Sequence, residues 1–304
     1  MANHKILGLC VATHTPFSAN GDLNLSAVEK QFSHLAARGI KSVFIGGSTG
    51  ESHSTNVEER RQLAERWMDV TKGSDMKVIV HVGSNCLTDG RYLAAHAQKI
   101  GASAVSMLTP SYFKPANLGK LIECCAMVAN AAPALPFYYY DIPVLTGVNM
   151  NMEDFLAQAP EKIPNLAGIK FTNPDFFQFQ LCHRFEGGKF DIPYGNDEYF
   201  LGAYAMGARG AVGSTFNFAP GVYTRLMAAA AKGDLKTAAD EQFRSVQLVK
   251  VVAKRGYMGC AKALMGHLGV PVGPARLPQS NPTPEGFKEM LGELEAIGFF
   301  QWKD

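Results

Sequence analysis

A lysine at the end of an apolar segment is the residue of this sequence best suited to covalent chemistry. Lys170 follows residues 166–169 (Leu-Ala-Gly-Ile), and a break at Asn173-Pro174 comes soon after it. A lysine amine that condenses with a ketone forms an iminium, which draws electrons from a breaking C–C bond far better than a carbonyl does. Most lysines at such positions only extend toward water. The position of Lys170 in the fold therefore has to decide between these two interpretations.

A tyrosine ends the apolar segment that precedes the one carrying Lys170. Residues 137–140 read Phe-Tyr-Tyr-Tyr, and side chains alternate along a strand, so Tyr138 and Tyr140 share one face. Most strand tyrosines are packing residues whose hydroxyl finds a partner. Tyr140 differs from the others because it lies at the end of its strand, next to the strand of Lys170.

Glycine-rich turns with hydroxyl or carboxylate side chains follow three other apolar segments. In residues 46–51 the glycines let the backbone approach a ligand, and the neighbouring Ser48 and Thr49 suit a small anion. A tight turn with no ligand explains that segment equally well. Residues 195–198 (Gly-Asn-Asp-Glu) could bind a ligand or cap a helix. Residues 210–215 (Gly-Ala-Val-Gly-Ser-Thr) could hold a phosphate.

Apolar segments alternate with amphipathic ones along most of the chain. We predict helices over residues 26–38, 56–71 and 88–100, because their apolar residues recur at helical spacing. Predicted strands begin at Ile6, Ser42, Lys77, Ser103, Phe137, Leu166, Phe190 and Arg209. Eight strand–helix units in strict alternation predict an α/β fold, a (β/α)8 TIM barrel, in which chemistry lies at the C-terminal ends of the strands.

The barrel should occupy residues 1–231, and a helical extension packed on it should occupy residues 232–304. Helices are predicted there over residues 235–254, 257–268 and 285–297, with a proline-rich loop over 271–284. No linker or change of composition separates the two parts. We therefore expect a single domain overall.

Composition excludes several classes of function. The formal net charge is +2, from 29 basic and 27 acidic residues, so no nucleic-acid or anionic-membrane surface is expected. No apolar run reaches the roughly 18 residues of a membrane span. The six cysteines contain no C-x-x-C pair and predict reduced thiols in a cytoplasmic protein. The histidines lack metal-ligand spacing, so no metal site is expected.

With these segments in order, the chain resembles the pyruvate-dependent class I aldolases, the family of dihydrodipicolinate synthase and N-acetylneuraminate lyase. Five motifs carry the resemblance, and each lies at a strand end: residues 47–51, 140–143, 168–172, 195–198 and 210–215. Within the family the likeness is to the lyase branch of animal type, through residues 132–140 and 273–278. At position 145, where the synthases typically have an arginine for a substrate carboxylate, this chain has Leu145.

The resemblance implies a Schiff-base aldolase that reversibly cleaves N-acetylneuraminate to N-acetylmannosamine and pyruvate without a cofactor. It implies that Lys170 forms the imine and that Tyr140 relays protons. Further residues are implied to bind substrate, namely Ser48 and Thr49 at the carboxylate, and Thr172, Gly195, Asp197, Glu198 and Ser214 at the polyhydroxyl tail. The resemblance also implies a homotetramer in which Tyr112 reaches a neighbouring subunit's site.

Three other functions remain compatible with the sequence. The nearest is another pyruvate-dependent aldolase or dehydratase of the family, acting on a 2-keto-3-deoxy sugar acid or as a dihydrodipicolinate synthase. The second is a phosphosugar barrel enzyme that holds phosphate at residues 213–215. The third is a non-catalytic barrel that senses a ligand.

Overall fold

The computed structural model describes residues 5–304, and strands and helices alternate up to residue 231. Seven strands form one parallel sheet: β1 Gly8–Ala12, β2 Ser42–Ile45, β3 Lys77–His81, β4 Ala104–Met107, β5 Phe137–Asp141, β6 Leu166–Phe171 and β7 Gly210–Gly213. The helices between and after them are α1 Ala27–Ala36, α2 Val57–Val70, α3 Leu87–Lys99, α4 Leu118–Ala129, α5 Pro143–Thr146, α6 Met152–Gln158, α7 Phe176–Arg184, α8 Phe200–Ala205, α9 Pro220–Ala231, α10 Leu235–Ala253, α11 Tyr257–His267, α12 Pro284–Ala296 and α13 Phe299–Trp302.

The sheet runs in the order β6-β5-β4-β3-β2-β1-β7, and every pairing is parallel. Residues 190–194 lie between its two ends. The Asp191 N–H donates to the Ala167 carbonyl of β6, and the Tyr194 N–H donates to the Gly210 carbonyl of β7. This segment therefore closes the sheet, and the predicted (β/α)8 barrel is confirmed.

The strand predicted from Phe190 is not a regular strand. It makes only isolated bridges, at Asp191 and Tyr194. Pro193 lies between these residues and has no N–H to donate, so the hydrogen-bond ladder is interrupted there. The count of eight strand positions was right, and the proline explains why one of them lacks regular pairing.

Local signals account for several element boundaries. The Asn56 side chain accepts from the Glu59 N–H and the Glu59 carboxylate accepts from the Asn56 N–H, a capping box that begins α2 at the predicted residue. Gly101 follows α3 with φ +79°, a conformation that favours glycine.

Two apolar layers surround the strands. The smaller lies inside the barrel and includes Cys10, Phe44, Ile79 and Tyr140. The larger lies between the strands and the helices and continues into the extension. The extension contacts the barrel through α10, which packs along α9, the last helix before residue 232. In residues 5–304 no helix is long and apolar enough to cross a membrane.

Candidate active site

Lys170 and Tyr140 are brought together at the end of two adjacent strands. They are direct neighbours in the register of β5 and β6. The Lys170 Nζ lies 3.6 Å from the centroid of the Tyr140 ring and 4.4 Å from that of Phe44. Only 3% of the Lys170 surface is exposed. The amine is therefore held among aromatic faces inside the barrel and does not extend toward bulk water.

The Tyr140 hydroxyl points toward the loop after β2. It lies 3.3 Å from the Ser48 Oγ, within hydrogen-bond distance. The Tyr140 ring is packed edge-to-face against Phe44 and His81, with centroids 5.8 and 5.9 Å away. These contacts fix the ring, so that its face meets the lysine amine and its hydroxyl meets the serine.

His81 is a buried neighbour of Tyr140 that the sequence did not single out. Its Nδ1 lies 2.9 Å from the Gly46 carbonyl, and its Nε2 accepts from the Leu108 N–H at 3.2 Å. Nδ1 therefore carries the proton of a neutral imidazole. Burial lowers the pKa of His81 well below its usual range. The ring thus braces Tyr140 without adding a positive charge.

The first region of the mouth lies around Ser48. Ser48 and Thr49 are half-buried, and Ser48 lines a cavity of about 200 Å³ together with Ser52, His53 and Leu145. The Ser52 Oγ bonds the His53 Nδ1 at 3.1 Å, while much of the His53 ring is exposed. This region offers hydroxyls and no carboxylate other than that of Glu51.

The second region of the mouth is built from the loops after residues 190–194 and β7. Gly195, Asp197, Glu198 and Ser214 line a cavity of about 210 Å³ together with Tyr257 of α11. The Ser214 Oγ lies 2.6 Å from the Tyr257 hydroxyl. Four predicted site residues thus share one cavity. Tyr257 was missed, because the sequence presents it only as the first residue of a helix.

Asp197 is held by a buried chain of hydroxyls. Its Oδ2 accepts from the Thr215 N–H at 2.8 Å and from the Thr215 Oγ1 at 2.7 Å. The Thr215 Oγ1 lies 2.6 Å from the Tyr223 hydroxyl, which lies 2.7 Å from the Ser245 Oγ on α10. Burial raises the pKa of Asp197 to about 6, although the bonds from Thr215 act in the opposite direction.

The same contacts bear on the hypothesis that residues 213–215 hold a phosphate. A Cβ on Gly213 would lie 2.2 Å from the Asp197 Oδ1, so the carboxylate occupies the space beside this glycine. The Thr215 donors that a phosphate would need already bond the carboxylate. A fixed anion at this point repels a second one. The arrangement disfavours phosphate and suits the hydroxyls of a neutral polyol.

Thr172 lies beside Gly195 of the second region. It lies directly after β6, two residues beyond Lys170, and a Cβ on Gly195 would lie 1.8 Å from the Thr172 Oγ1. Among the described residues this buried Oγ1 has no hydrogen-bond partner. A buried hydroxyl without a partner costs free energy, so it is available to a ligand.

Asp141 lies on the face of β5 opposite Tyr140. Its Oδ2 lies 3.4 Å from the Asn173 Nδ2, and its side chain is buried outside the barrel interior. Burial raises the pKa of Asp141 to about 7. The residue that follows Tyr140 therefore supports the strand and does not line the mouth.

Tyr112 lines neither cavity and lies on the surface of the subunit. Its side chain is 78% exposed, and it packs edge-to-face on the similarly exposed Phe113, with ring centroids 4.9 Å apart.

Residues 5–304 contain no group of three or more His, Cys, Asp or Glu side chains placed to hold a metal ion.

Comparison with known proteins identifies the family. The model of the dihydrodipicolinate synthetase family matches residues 5–296. This chain belongs to that family. The chain is 39% identical to the N-acetylneuraminate lyase of Gallus gallus over 297 residues, 96% of each chain. It is 42% identical to N-acetylneuraminate lyase A of Xenopus laevis over 281 residues, covering 91% of this chain and 92% of that one.

Solved structures of the family superpose closely on this one. The N-acetylneuraminate lyase of Proteus mirabilis matches with a TM-score of 0.94 at 38% identity, over 97% of this chain and all of that one. The predicted family membership is therefore confirmed. The predicted likeness to the lyase branch is confirmed by the same relatives.

Proposed function

We propose that this protein is an N-acetylneuraminate lyase, a Schiff-base aldolase that cleaves N-acetylneuraminate to N-acetylmannosamine and pyruvate. The observation that carries the proposal is the buried Lys170 amine 3.6 Å from the Tyr140 ring, with the Tyr140 hydroxyl beside Ser48. The identity of 39–42% to lyases over nearly the whole chain supports the substrate.

The reaction begins at the amine. The neutral Lys170 Nζ attacks the C2 carbonyl of the open-chain keto acid to give a carbinolamine. The Tyr140 hydroxyl gives its proton to the carbinolamine oxygen, which leaves as water, so that the iminium and a Tyr140 phenolate remain. The faces of the Tyr140 and Phe44 rings, 3.6 and 4.4 Å from the Nζ, support this step because they hold the amine in one place. Ser48 and Thr49 hold the adjacent carboxylate through hydroxyl and backbone donors.

Tyr140 then moves one proton. The phenolate takes the proton of the C4 hydroxyl as the C3–C4 bond breaks, and the bonding electrons pass to the iminium to give an enamine. N-acetylmannosamine leaves as the aldehyde, and the same proton returns to C3 of the enamine. Hydrolysis of the new iminium releases pyruvate and restores Lys170.

The polyhydroxyl tail of the sugar occupies the second region. The carboxylates of Asp197 and Glu198 accept hydrogen bonds from sugar hydroxyls, and Thr172 and Ser214 offer further hydroxyls. The backbone of Gly195 lies close to the tail, since this glycine has no side chain. The fixed Asp197 carboxylate supports a neutral tail over a phosphorylated one.

The test measures pyruvate release from N-acetylneuraminate, coupled to lactate dehydrogenase and NADH consumption. Mass spectrometry after pyruvate and borohydride treatment locates the reduced imine. We expect release in the wild type, a single adduct on Lys170, and loss of both in Lys170→Ala. The matched control is Lys189→Ala, which removes an exposed lysine paired with Glu186.

Two results would contradict the proposal in different ways. Trapping on Lys170 without release from N-acetylneuraminate would keep the imine aldolase and replace the substrate by another keto sugar acid. Absence of both trapping and release would leave the non-catalytic ligand-sensing barrel.

We further propose a homotetramer in which Tyr112 completes the site of a neighbouring copy. Apolar side chains that water would otherwise surround support this assembly: Tyr112, Phe113, Val144 and Leu145 are 63–84% exposed, and Leu145 lines the cavity beside Ser48. Patches of this kind mark contact surfaces. We expect Phe113→Asp to lower the mass measured by light scattering, and Phe243→Asp, an exposed phenylalanine on α10, to leave it unchanged. A monomeric wild type would contradict the assembly.

We place the protein in the cytoplasm, where it would act in sialic acid degradation. Its six cysteines are all free thiols, which supports a reducing compartment. The placement would be wrong if the native protein were isolated from an oxidising compartment, without reductant, and all six cysteines were still thiols.

A further inference from the structure

Glu51, the last residue of the loop that carries Ser48 and Thr49, has an unusual backbone conformation. Its φ is +53° and its ψ is +42°, the left-handed region that glycine adopts more easily than a residue with a side chain. A non-glycine residue persists there only when its surroundings hold it. Something must therefore fix Glu51 in this conformation.

The extension supplies what fixes it. The Glu51 Oε1 accepts from the Lys262 Nζ of α11 at 2.7 Å, and the Oε2 accepts from the Arg276 N–H at 2.8 Å. The two side chains of the Glu51–Lys262 pair are 1% and 0% exposed. Lys262 also donates to the Thr15 carbonyl after β1 at 2.9 Å. Both carboxylate oxygens are thus satisfied by residues more than 200 positions away along the chain.

A buried ion pair is not by itself a stabilising device. Removing two charges from water costs as much as their attraction returns, and apolar residues often replace such pairs without loss of stability. The geometric contribution of the pair is more specific, because both partners make directional bonds to the loops at the barrel mouth.

The position of Glu51 determines the shape of the loop. Its N–H donates to the Ser48 carbonyl at 3.0 Å, and the next N–H, of Ser52, donates to the Gly47 carbonyl at 3.1 Å. The Thr15 Oγ1 donates to the Gly50 carbonyl at 2.6 Å. The turn that presents Ser48 and Thr49 is therefore closed at Glu51 and tied to Thr15, which Lys262 also bonds.

We propose that Glu51 and Lys262 are positioning residues for the carboxylate of the keto acid. Through this pair the helical extension fixes the turn on which Ser48 and Thr49 meet that carboxylate. The inference rests on the proposed function, because it assigns the loop to the carboxylate of an imine-forming ketone. It gives the extension a role in substrate selection.

The test compares a ketone that has a carboxylate with one that lacks it. Pyruvate and acetone are each trapped on Lys170 with borohydride over a range of concentrations, in the wild type and in Glu51→Gln. We expect the variant to need about 10-fold more pyruvate for half-maximal trapping, because small displacements of a binding group have effects of this size or larger. Trapping by acetone should change less than about 2-fold, since acetone does not use the loop.

The matched control is Glu241→Gln on α10. Glu241 is also a buried carboxylate, and it joins the extension to the barrel through Arg225 of α9. We expect this control to alter the melting temperature and to leave the preference for pyruvate over acetone at the wild-type value. A loss of preference in the control would assign the effect to general loosening of the extension and overturn the inference.

A second variant covers the case in which Glu51→Gln folds poorly. Glu51→Gln/Lys262→Met leaves no buried unpaired charge, so it should fold better and still lose the preference for pyruvate. Equal changes for the two ketones, or no change in either variant, would overturn the inference alone. A wild type that traps neither ketone would overturn the proposed function, and the inference with it.

Discussion

The two regions of the barrel mouth are built in opposite ways. Around Lys170 the neighbours are the rings of Tyr140 and Phe44, and the Tyr140 hydroxyl makes a polar contact with Ser48. Around Asp197 the neighbours are hydroxyls, which continue through Thr215 and Tyr223 to Ser245 on α10. The first region surrounds a reactive amine with apolar faces, and the second orients a fixed acceptor.

In the proposed reaction, this difference would separate bond breaking from recognition. An amine that must attack a carbonyl carbon gains from aromatic walls that fix its position, because a correctly oriented group reacts faster. A carboxylate that must recognise hydroxyls gains from bonds that fix its direction, because a group fixed in advance loses little freedom on binding. Substitutions in the two regions should therefore give different kinetic signatures.

The largest effect is expected at Tyr140. Tyr140→Phe removes the hydroxyl that relays the proton, and general acid–base groups contribute about 10²- to 10⁴-fold to rate. We expect kcat for N-acetylneuraminate cleavage to fall in that range, while the melting temperature stays close to the wild-type value. The steady-state rate of pyruvate release gives kcat, and differential scanning calorimetry gives the melting temperature. Unchanged turnover would remove Tyr140 from the mechanism.

A smaller and selective effect is expected at Asp197. Asp197→Asn keeps the shape and removes the charge, and a hydrogen bond to a charged group contributes about 1.5–3 kcal/mol. We expect kcat/KM for N-acetylneuraminate to fall about 10- to 100-fold, as that energy implies, and trapping of pyruvate alone to remain unchanged. Pyruvate does not reach the second region. An equal loss in pyruvate trapping would show that the two regions are not separate.

Thr172 should give a weaker effect of the same kind. Its Oγ1 is buried without a partner among the described residues, so Thr172→Val removes a group that only the substrate would satisfy. One neutral hydrogen bond contributes about 0.5–1.5 kcal/mol, and KM for N-acetylneuraminate should rise up to about 10-fold. Chemical denaturation should show equal or slightly greater stability. A clear loss of stability would mean that the hydroxyl bonds the protein.

The smallest effect on activity is expected at Asp141, which lies outside both regions. Burial raises its pKa from 3.8 to about 7, so the folded protein holds a proton that the unfolded chain releases. Stability therefore falls as pH rises from about 4 to about 7, with a cost on the order of 4 kcal/mol above that range. Asp141→Asn should remove this cost at pH 8 and flatten the dependence, as urea unfolding at several pH values would show.

Activity provides the control for this substitution. Because the Asp141 side chain lies on the opposite face of β5 from Tyr140, pyruvate trapping by Asp141→Asn should stay within about 2-fold of the wild type. A larger change would place the carboxyl group in the mouth.

The sequence was sufficient for the architecture because the apolar segments alternate so regularly with helical ones. It also placed Tyr140 beside Lys170, since consecutive strands of such a barrel are neighbours. The irregular pairing of residues 190–194 was not predicted, although Pro193 is visible in the sequence. One proline in a short apolar segment does not reveal which hydrogen bonds the neighbouring strands will lose.

Contacts across long separations were beyond sequence reasoning. In the sequence, Glu51 is only the end of a glycine-rich motif, and its partner Lys262 is only one residue of the helix predicted over residues 257–268. His81 and Tyr257 were missed for the same reason. None of these residues is unusual in its own stretch of sequence. Only the folded chain brings them together at the mouth of the barrel.

Two glycines, Gly168 and Gly195, allow the segment that leads to Asp197 to lie close to the strand of Lys170. A Cβ on Gly168 would lie 1.7 Å from the Asp191 carbonyl oxygen, and one on Gly195 would lie 1.8 Å from the Thr172 Oγ1. Either addition would push the segment that leads to Asp197 away from the strand of Lys170. These glycines thus fix the spacing between the two segments, and we expect a barrel of this kind that accepts a longer sugar acid to differ at these two positions before it differs at the side chains that hold the sugar.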